Sequence, residues 1–123
     1  MKRRALDSSF ADWGVFRQDW LGDNHNAKGV AVHPDGRILI VGRRGTSAAP
    51  SLVVWRLLDN GVPDLTFGSN GTMTYTPTDM TCGEWGGPVF VKGGSAFVVG
   101  GSALYRKGKG AYSTVFAVGR FIY

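Results

Sequence analysis

Cysteine and histidine are scarce in this 123-residue sequence, which contains Cys82, His25 and His33 as its only residues of these types. One cysteine excludes an intrachain disulfide and a zinc site built from several cysteines. Cys82 is interpreted as a buried or idle thiol, because a nucleophilic cysteine needs a base beside it. Both histidines fall in predicted loops or turns and are interpreted as solvated residues, so the sequence predicts neither a metal site nor a cofactor.

Long apolar runs are absent as well. No run of about 18 apolar residues occurs, and this excludes a transmembrane helix. The basic residues 2–4 resemble the start of a signal peptide, but Leu6 is followed by Asp7, Ser8 and Ser9 instead of an apolar core. We therefore expect no secretory signal and no membrane partner, and a cytoplasmic or virion-associated location is favoured.

Acidic residues are fewer than basic ones, at nine Asp and Glu against 14 Lys and Arg, which gives a net charge of +5. Two predicted loops, each after a hairpin and before a fourth strand, carry Arg43, Arg44, Arg106, Lys107 and Lys109. These residues are a candidate polyanion-binding rim, and the alternative is that they are merely solvated. A nucleic-acid partner is not favoured, because few aromatic residues alternate with the basic ones.

Glycine is abundant, with 19 residues, and five prolines accompany it. Both types separate short apolar runs instead of forming a low-complexity tract, which is the pattern of strands joined by tight turns. The length is that of one domain. The sequence therefore predicts a single all-β domain over residues 1–123, with almost no helix.

A hairpin signal occurs twice. Residues 29–42 contain two apolar runs on either side of a Pro-Asp-Gly turn, in which Gly36 can take the left-handed conformation. Residues 87–100 repeat this arrangement at an offset of 58, which matches Gly36 to Gly94. A hairpin is therefore predicted in each half of the chain.

A turn signal also occurs twice. Asp7 and Phe10 recur as Asp64 and Phe67, each at an offset of 57. The shared offset indicates that the two turns are equivalent parts of one repeated unit. Short strands are predicted directly after the turns, over residues 15–19 and 72–76.

The chain thus consists of two repeats of about four strands each, over residues 6–62 and 63–123. Each repeat closes with a strand, residues 52–57 or 114–121, whose arginines Arg56 and Arg120 lie 64 positions apart. This size and strand count suit one blade of a β-propeller. Two blades cannot close a ring, and a solitary pair leaves apolar faces and sheet edges exposed.

The ends of the chain lie at nearly the same point of the repeat. Arg56 and Phe67 are 11 positions apart, and the path from Arg120 through the chain end to Phe10 of a following copy takes 13. We expect head-to-tail assembly through a heterologous interface that closes into a ring. Propellers of four to eight blades then correspond to about two to four copies. The alternatives are docking onto other protein subunits and membership of a longer propeller.

These motifs resemble the delta-sixty repeats, a bacterial family of β-propeller-like repeats. The family pattern is approximately Leu-Asp-x-Ser-Phe-Gly, then Ala-Val-x-Pro-Asp-Gly-Lys-Ile-Leu-Val-Ala-Gly, then Ala-Arg-Tyr and Asp-Gly. Repeat one follows it in order at residues 6–10, 30–42, 55–57 and 60–61, and residues 64–68 open the next repeat. Repeat two departs from it at residues 92–97. The resemblance covers nearly the whole chain and implies a propeller fold, but it supplies no catalytic residues.

Aromatic residues supply the main alternative function. Most of them, Trp55 included, are interpreted as core and inter-blade packing. Trp20 and Trp85 are flanked by polar loops, and exposed aromatic rings are what propeller lectins stack on sugars. A carbohydrate-binding propeller with a glycan partner is therefore the alternative to a structural module.

No catalytic constellation is present. Serines such as Ser9 and Ser47 have no Gly-x-Ser-x-Gly setting, and the oxygen-bearing residues between Asp19 and Asn26 lack the spacing of an EF-hand. The predicted function is a non-enzymatic structural or interaction module, bacterial or phage, which assembles head to tail or docks into a larger complex.

Overall fold

A computed structural model describes the backbone of residues 4–18, 25–45, 51–76, 80–92, 96–106 and 112–122. Side chains are described for residues 4–18, 26–45 and 51–76, and in the second half for Val91, Phe97 and residues 120–122. Over these residues the chain is all-β and contains no helix, as the sequence predicts. Its strands are β1 (His25–Val32), β2 (Ile38–Arg44), β3 (Ser51–Leu57), β4 (Thr72–Tyr75), β5 (Met80–Lys92), β6 (Ala96–Arg106) and β7 (Tyr112–Ile122).

The first sheet is antiparallel, with the strand order β1-β2-β3-β4. The predicted Pro-Asp-Gly turn joins β1 to β2: the His33 amide donates to the Arg37 carbonyl at 2.8 Å, and the Arg37 amide donates to the Asp35 carboxylate at 3.0 Å. Gly36 has a φ of +92°, a conformation that glycine adopts without strain. The first hairpin is therefore confirmed, and β1 extends back to His25, into a segment that the sequence predicts as a loop.

The fourth strand of this sheet comes from beyond the predicted repeat boundary. β4 confirms the strand predicted over residues 72–76, but it pairs with β3 of repeat one, with Trp55 opposite Thr72. The first sheet therefore combines three strands of repeat one with the opening strand of repeat two.

Residues 15–18 are the counterparts of β4 in repeat one, 57 positions earlier. Val15 forms an isolated bridge with Asp12. In the part of the chain that the structure describes, residues 15–18 belong to no sheet strand. The described residues 15–18 therefore do not form the strand that the sequence predicts over residues 15–19. A strand needs an edge to pair with, and the described chain has no counterpart of β3 ahead of residue 15.

The second sheet is antiparallel and three-stranded, in the order β5-β6-β7. The predicted hairpin and closing strand are both present, and their strands are longer than expected. Val98 lies opposite Arg120 here, as Leu39 lies opposite Arg56 in the first sheet. Matched on these pairs, the hairpins are offset by 59 positions, one more than the glycine alignment predicts, and the arginines remain 64 apart.

The core lies between the two sheets. Phe97 of β6 is fully buried and stacks on Phe121 of β7, with ring centroids 5.2 Å apart. Tyr75 of β4 meets the Phe121 ring edge to face at 5.6 Å. The buried residues of the first half that join this cluster are Leu39, Val41, Leu52, Val54 and Phe67. One face of the first sheet thus packs against the second sheet, and this packing buries the apolar side chains of both.

Candidate interaction site

Two copies of one turn frame the candidate site. We name them the first turn module, residues 7–14, and the second turn module, residues 64–71. In the second, Asp64 Oδ1 accepts hydrogen bonds from the amide and hydroxyl of Thr66, at 3.1 and 2.6 Å. In the first, Asp7 Oδ1 accepts the same two bonds from Ser9, at 2.9 and 2.6 Å. Because an aspartate that bonds the residue two positions on fixes a tight turn, the Asp-x-Ser/Thr spacing encodes this geometry locally.

The backbones of the two modules also correspond. In each, the amide of the phenylalanine donates to the carbonyl of the aspartate at 3.0 Å. Three positions have positive φ values, +47°, +52° and +93° in the first module and +53°, +53° and +88° in the second. The matched positions are Ala11 with Gly68, Trp13 with Asn70, and Gly14 with Gly71. The offset of 57 found in the sequence is therefore also an offset between two turns of the same geometry.

An arginine fills the second module. Arg56 of β3 is only 5% exposed, and its Nε donates to Asp64 Oδ2 at 2.9 Å. Its Nη2 donates to the Thr66 hydroxyl at 3.2 Å, and its Cζ lies 4.7 Å from the centre of the Phe67 ring. We call these three contacts the arginine clamp. Since the Arg56 amide also donates to the Gly71 carbonyl at 2.9 Å, the clamp and the backbone together fix the module against β3.

These contacts lower the pKa of both aspartates. The hydrogen bond from the Thr66 hydroxyl is the main cause that lowers the pKa of Asp64; burial opposes it, and the Thr66 amide and the charge of Arg56 add to the lowering. The hydroxyl and then the amide of Ser9 lower the pKa of Asp7 in the same way. Both carboxylates are therefore ionised at neutral pH.

The first module holds no arginine in the described part of the chain. Asp7 Oδ2, the oxygen that corresponds to the one held in the clamp, has no partner among the described residues. Phe10 is only partly buried, whereas Phe67 is 3% exposed. The module is nevertheless fixed to the first sheet, because the Ala11 amide donates to the Asn60 carbonyl at 2.7 Å.

An arginine without a turn module lies in β7. Arg120 occupies the register position of Arg56 but is exposed. It makes no ion pair or hydrogen bond with any residue whose side chain the structure describes. Within the described chain, β7 pairs with β6 alone and forms the edge of its sheet. Among the described residues, the second sheet thus has no counterpart of the turn module and the fourth strand that complete the first sheet.

A cavity of about 340 Å³ lies between residues 16–18 and the first sheet, where Asn26, Ala27, Ile40 and Trp55 line it. Ile40 pairs with Trp55, and both alternate along their strands with residues of the core. Since successive strand residues point to opposite faces, the cavity lies on the face of the first sheet that points away from the second.

The same face carries exposed apolar residues of β1. Val30 lies opposite Ile40, and Val32 lies opposite Ile38. The two valines are 62% and 59% exposed, although Ala31 between them packs against the core. We call Val30, Val32, Ile38 and Ile40 the open face. It is an apolar surface without a covering sheet in the described chain.

The structure does not place the predicted ligand-binding tryptophans. Trp20 lies outside the described residues, and Trp85 is described only as a backbone position of β5, where the sequence predicts a loop. Among the described side chains, Trp13 is an exposed tryptophan, at 80%. The sequence does not predict this exposure, because tryptophan is not a residue type that favours the left-handed backbone found at Trp13. Asn70 at the matched position is such a type. The carbohydrate site stays a prediction.

The described residues of the predicted basic rim lie in strands. Arg43 and Arg44 belong to β2, which corrects the predicted loop, and adjacent strand residues leave the sheet on opposite faces. Arg106 is the last residue of β6, and Lys107 and Lys109 lie outside the described residues. The polyanion-binding rim therefore stays a prediction.

One histidine differs from its expected environment. His33 is 2% exposed, so its interpretation as a solvated residue is wrong; its bond to the Arg37 carbonyl extends the β1–β2 pairing and holds it against the sheet. Among the described residues, no three His, Cys, Asp or Glu side chains are grouped to hold a metal ion. No helix within those residues is long and apolar enough to cross a membrane.

The stacked antiparallel sheets and the repeated turn module define the class of this protein as all-β with a repeated turn. No family model matches the chain, and neither the curated proteins nor the solved structures give a match. The resemblance to the delta-sixty repeats therefore rests on the sequence motifs alone and stays a prediction.

Proposed function

We propose that the protein is a non-enzymatic structural module whose copies assemble head to tail. One observation carries this proposal. Within the residues that the structure describes, the second sheet has no turn module and no fourth strand, while residues 7–18 contain a turn module and a strand-length segment that belong to no described sheet. The described edge of β7 and residues 7–18 are thus complementary.

The sheet edge supports this arrangement. β4 follows directly after the second module and covers the edge of β3. Residues 15–18 follow the first module in the same way, and beside β7 of another copy they complete a four-stranded sheet. Unpaired edges expose backbone donors and acceptors that readily pair with another strand. Pairing with a second copy satisfies these groups at β7.

The open face supports it as well. The described core forms where one face of the first sheet is covered by the second sheet. The opposite face exposes Val30 and Val32 and lines the cavity. Residues 16–18 already form a wall of the cavity on this face. The sheet that residues 15–18 complete with β7 of the neighbouring copy therefore lies over the open face. Edge pairing and face packing therefore involve the same neighbouring copy.

The contact joins different surfaces of the two copies and is therefore heterologous. Such contacts generate rings when the rotation between copies closes. β-Propellers are the closed rings that four-stranded sheets stacked face to face form, with four to eight sheets as the usual range. With two sheets per chain, about two to four copies close the ring.

Light scattering on the purified chain tests the proposal. We expect a stable mass of two to four times 13.2 kDa at micromolar concentration. Val30→Asp on the open face should dissociate the assembly. The matched control is Leu65→Asp, which changes an apolar residue of similar exposure, 71%, outside this face and should leave the mass unchanged. A wild-type mass of 13.2 kDa over this range would overturn the proposal.

A further inference from the structure

We propose that Arg120 of one copy binds the first turn module of the next copy, where it donates to Asp7 Oδ2 and Ser9 Oγ and lies over the Phe10 ring. This inference rests on the proposed head-to-tail assembly and names the contact that joins the copies. The partner is a second copy of this chain.

The first module offers the same groups as the second. Asp7, Ser9 and Phe10 present the carboxylate, the hydroxyl and the ring that Arg56 contacts 57 positions later. In both modules the internal hydrogen bonds use the Oδ1 atom of the aspartate. Oδ2 holds Arg56 in the second module, and it is the oxygen of Asp7 that has no partner among the described residues.

Two registers place Arg120 at the position of the clamp arginine. The β2–β3 and β6–β7 ladders give the two arginines equivalent positions when the hairpins are offset by 59. The hairpin turns give the same offset. His33 and Arg37 close the first turn with a backbone hydrogen bond. Lys92 and Ala96, each 59 positions later, pair at the end of the second hairpin. The equivalence therefore does not depend on sequence similarity.

The strand pairing follows from the same match. Arg56 donates through its amide to the Gly71 carbonyl, and β4 continues from there along β3. By the same geometry the amide of Arg120 donates to Gly14 of the next copy, and residues 15–18 run antiparallel to β7. We call this contact, between β7 with Arg120 of one copy and residues 7–18 of the next, the joint.

The chemistry of the contact suits a specific joint. An arginine is charged at all physiological pH values, and its planar group donates several hydrogen bonds in fixed directions. Asp7 is ionised, and the Phe10 ring offers a face for a cation. Because truncating one partner of a buried interfacial charge pair leaves the other charge unpaired, loss of either residue should weaken association at least about 30-fold.

Charge reversal tests the contact by light scattering over a dilution series. Asp7→Arg and Arg120→Asp should each weaken association at least about 30-fold. The double variant should recover part of it, because the charge pair is then reversed while the hydrogen bonds that Asp7 accepts from Ser9 stay lost. Asp35→Arg is the matched control, since it makes the same charge change at an exposed site outside the joint and removes the same kind of turn bond from the amide two positions on, and it should associate like the wild type.

The outcomes separate this contact from the assembly itself. A monomeric wild type overturns both. A wild type that assembles, together with single variants that assemble equally well, overturns the contact and leaves head-to-tail assembly in place. Arg120→Lys adds a variant that keeps the charge but loses the forked donor geometry. The contact requires weaker association of this variant, and unchanged association would count against it.

Discussion

Arg56 is the residue that joins the second turn module to the first sheet. Its ion pair with Asp64 is buried, with both side chains 7% exposed. Replacing Arg56 by Met leaves the carboxylate buried without its counter-charge, and we expect the free energy of unfolding to fall by about 3 kcal/mol. Urea denaturation measures the change.

The matched control for this substitution is Arg37→Met. The Arg37–Asp35 ion pair is also short, at 2.7 Å, but its side chains are 25% and 52% exposed. Solvent screens such a pair, so this variant should lose less than about 1 kcal/mol. Equal losses in the two variants would contradict a stabilising role for the clamp.

The lowered pKa of Asp64 predicts a pH dependence of stability. Since its folded pKa lies below the unfolded value of about 3.9, the stabilisation is complete above the unfolded pKa and is lost as the pH falls through the folded pKa. Between about pH 5 and pH 2, the wild type should therefore lose more unfolding free energy than Asp64→Asn. Urea titrations at several pH values measure the two slopes, and equal slopes would argue against the hydrogen bonds that Asp64 accepts in the folded protein.

Ala11 and Gly68 provide a matched pair of backbone substitutions. Both have left-handed backbones, with φ values of +47° and +53°, a region that costs a residue with a Cβ about 1 kcal/mol. Ala11→Gly should therefore stabilise the fold by up to about 1 kcal/mol. Gly68→Ala should destabilise it by more, because its Cβ would overlap the Thr72 carbonyl oxygen. Thermal unfolding checks both signs, and a destabilised Ala11→Gly variant would show that the first module is not strained.

The sequence predicts the turn modules but not the clamp, and the reason is the range of the contacts. Asp7 and Asp64 bond residues two positions on, so a short motif reveals both turns. Arg56 reaches Asp64 from eight residues away, and its sequence position shows only that an arginine recurs. An arginine in a strand gives no sign, in sequence alone, that it is buried.

At the level of elements, the sequence finds the strands better than it assigns them to sheets. Offsets identify β4 as the counterpart of residues 15–18, but they do not say which edge each segment joins. β4 lies beside β3 because the second module, clamped by Arg56, returns the chain to that strand. The boundary between sheets therefore falls after β4, and the boundary between sequence repeats falls before the second module.

Phe121 is a residue of β7 at which the two sheets meet. It stacks on Phe97 and contacts Tyr75 edge to face. Phe121→Ala should lower the free energy of unfolding by about 2 kcal/mol, because it removes the ring contacts with Phe97 and Tyr75 at a partly buried position. The neighbouring Ile122→Ala, at an 80% exposed position, should change it by less than about 0.5 kcal/mol. Guanidinium denaturation compares the two variants, and similar losses would contradict the packing of the second sheet on the first.

At the level of the whole molecule, the two ends of the described chain are complementary. The sequence predicts head-to-tail assembly from the spacing of equivalent residues, without a contact to carry it. The geometry of the modules supports a specific joint, because Asp7 presents a carboxylate oxygen and Arg120 an exposed guanidinium at matched positions. The number of copies in the proposed assembly depends on the rotation between them.

The contact between copies predicts that a disulfide forms between cysteines introduced on its two sides. In the first sheet, Trp55 and Thr72 face each other beside the bond from the Arg56 amide, a pairing in which Cα atoms lie about 4.5 Å apart. This distance permits a disulfide. The equivalent pair across the joint is Gly119 of one copy and Val15 of the next.

Cross-linking of two variant chains tests the joint most directly. Val15→Cys and Gly119→Cys are made in separate chains that also carry Cys82→Ser, and the mixture is oxidised and weighed by intact mass spectrometry. The account predicts a disulfide-linked pair that contains one chain of each kind. Thr114→Cys in place of Gly119→Cys is the control, because it lies about five residues away along β7 and out of reach. A linked pair no more abundant than in this control would contradict head-to-tail assembly through β7.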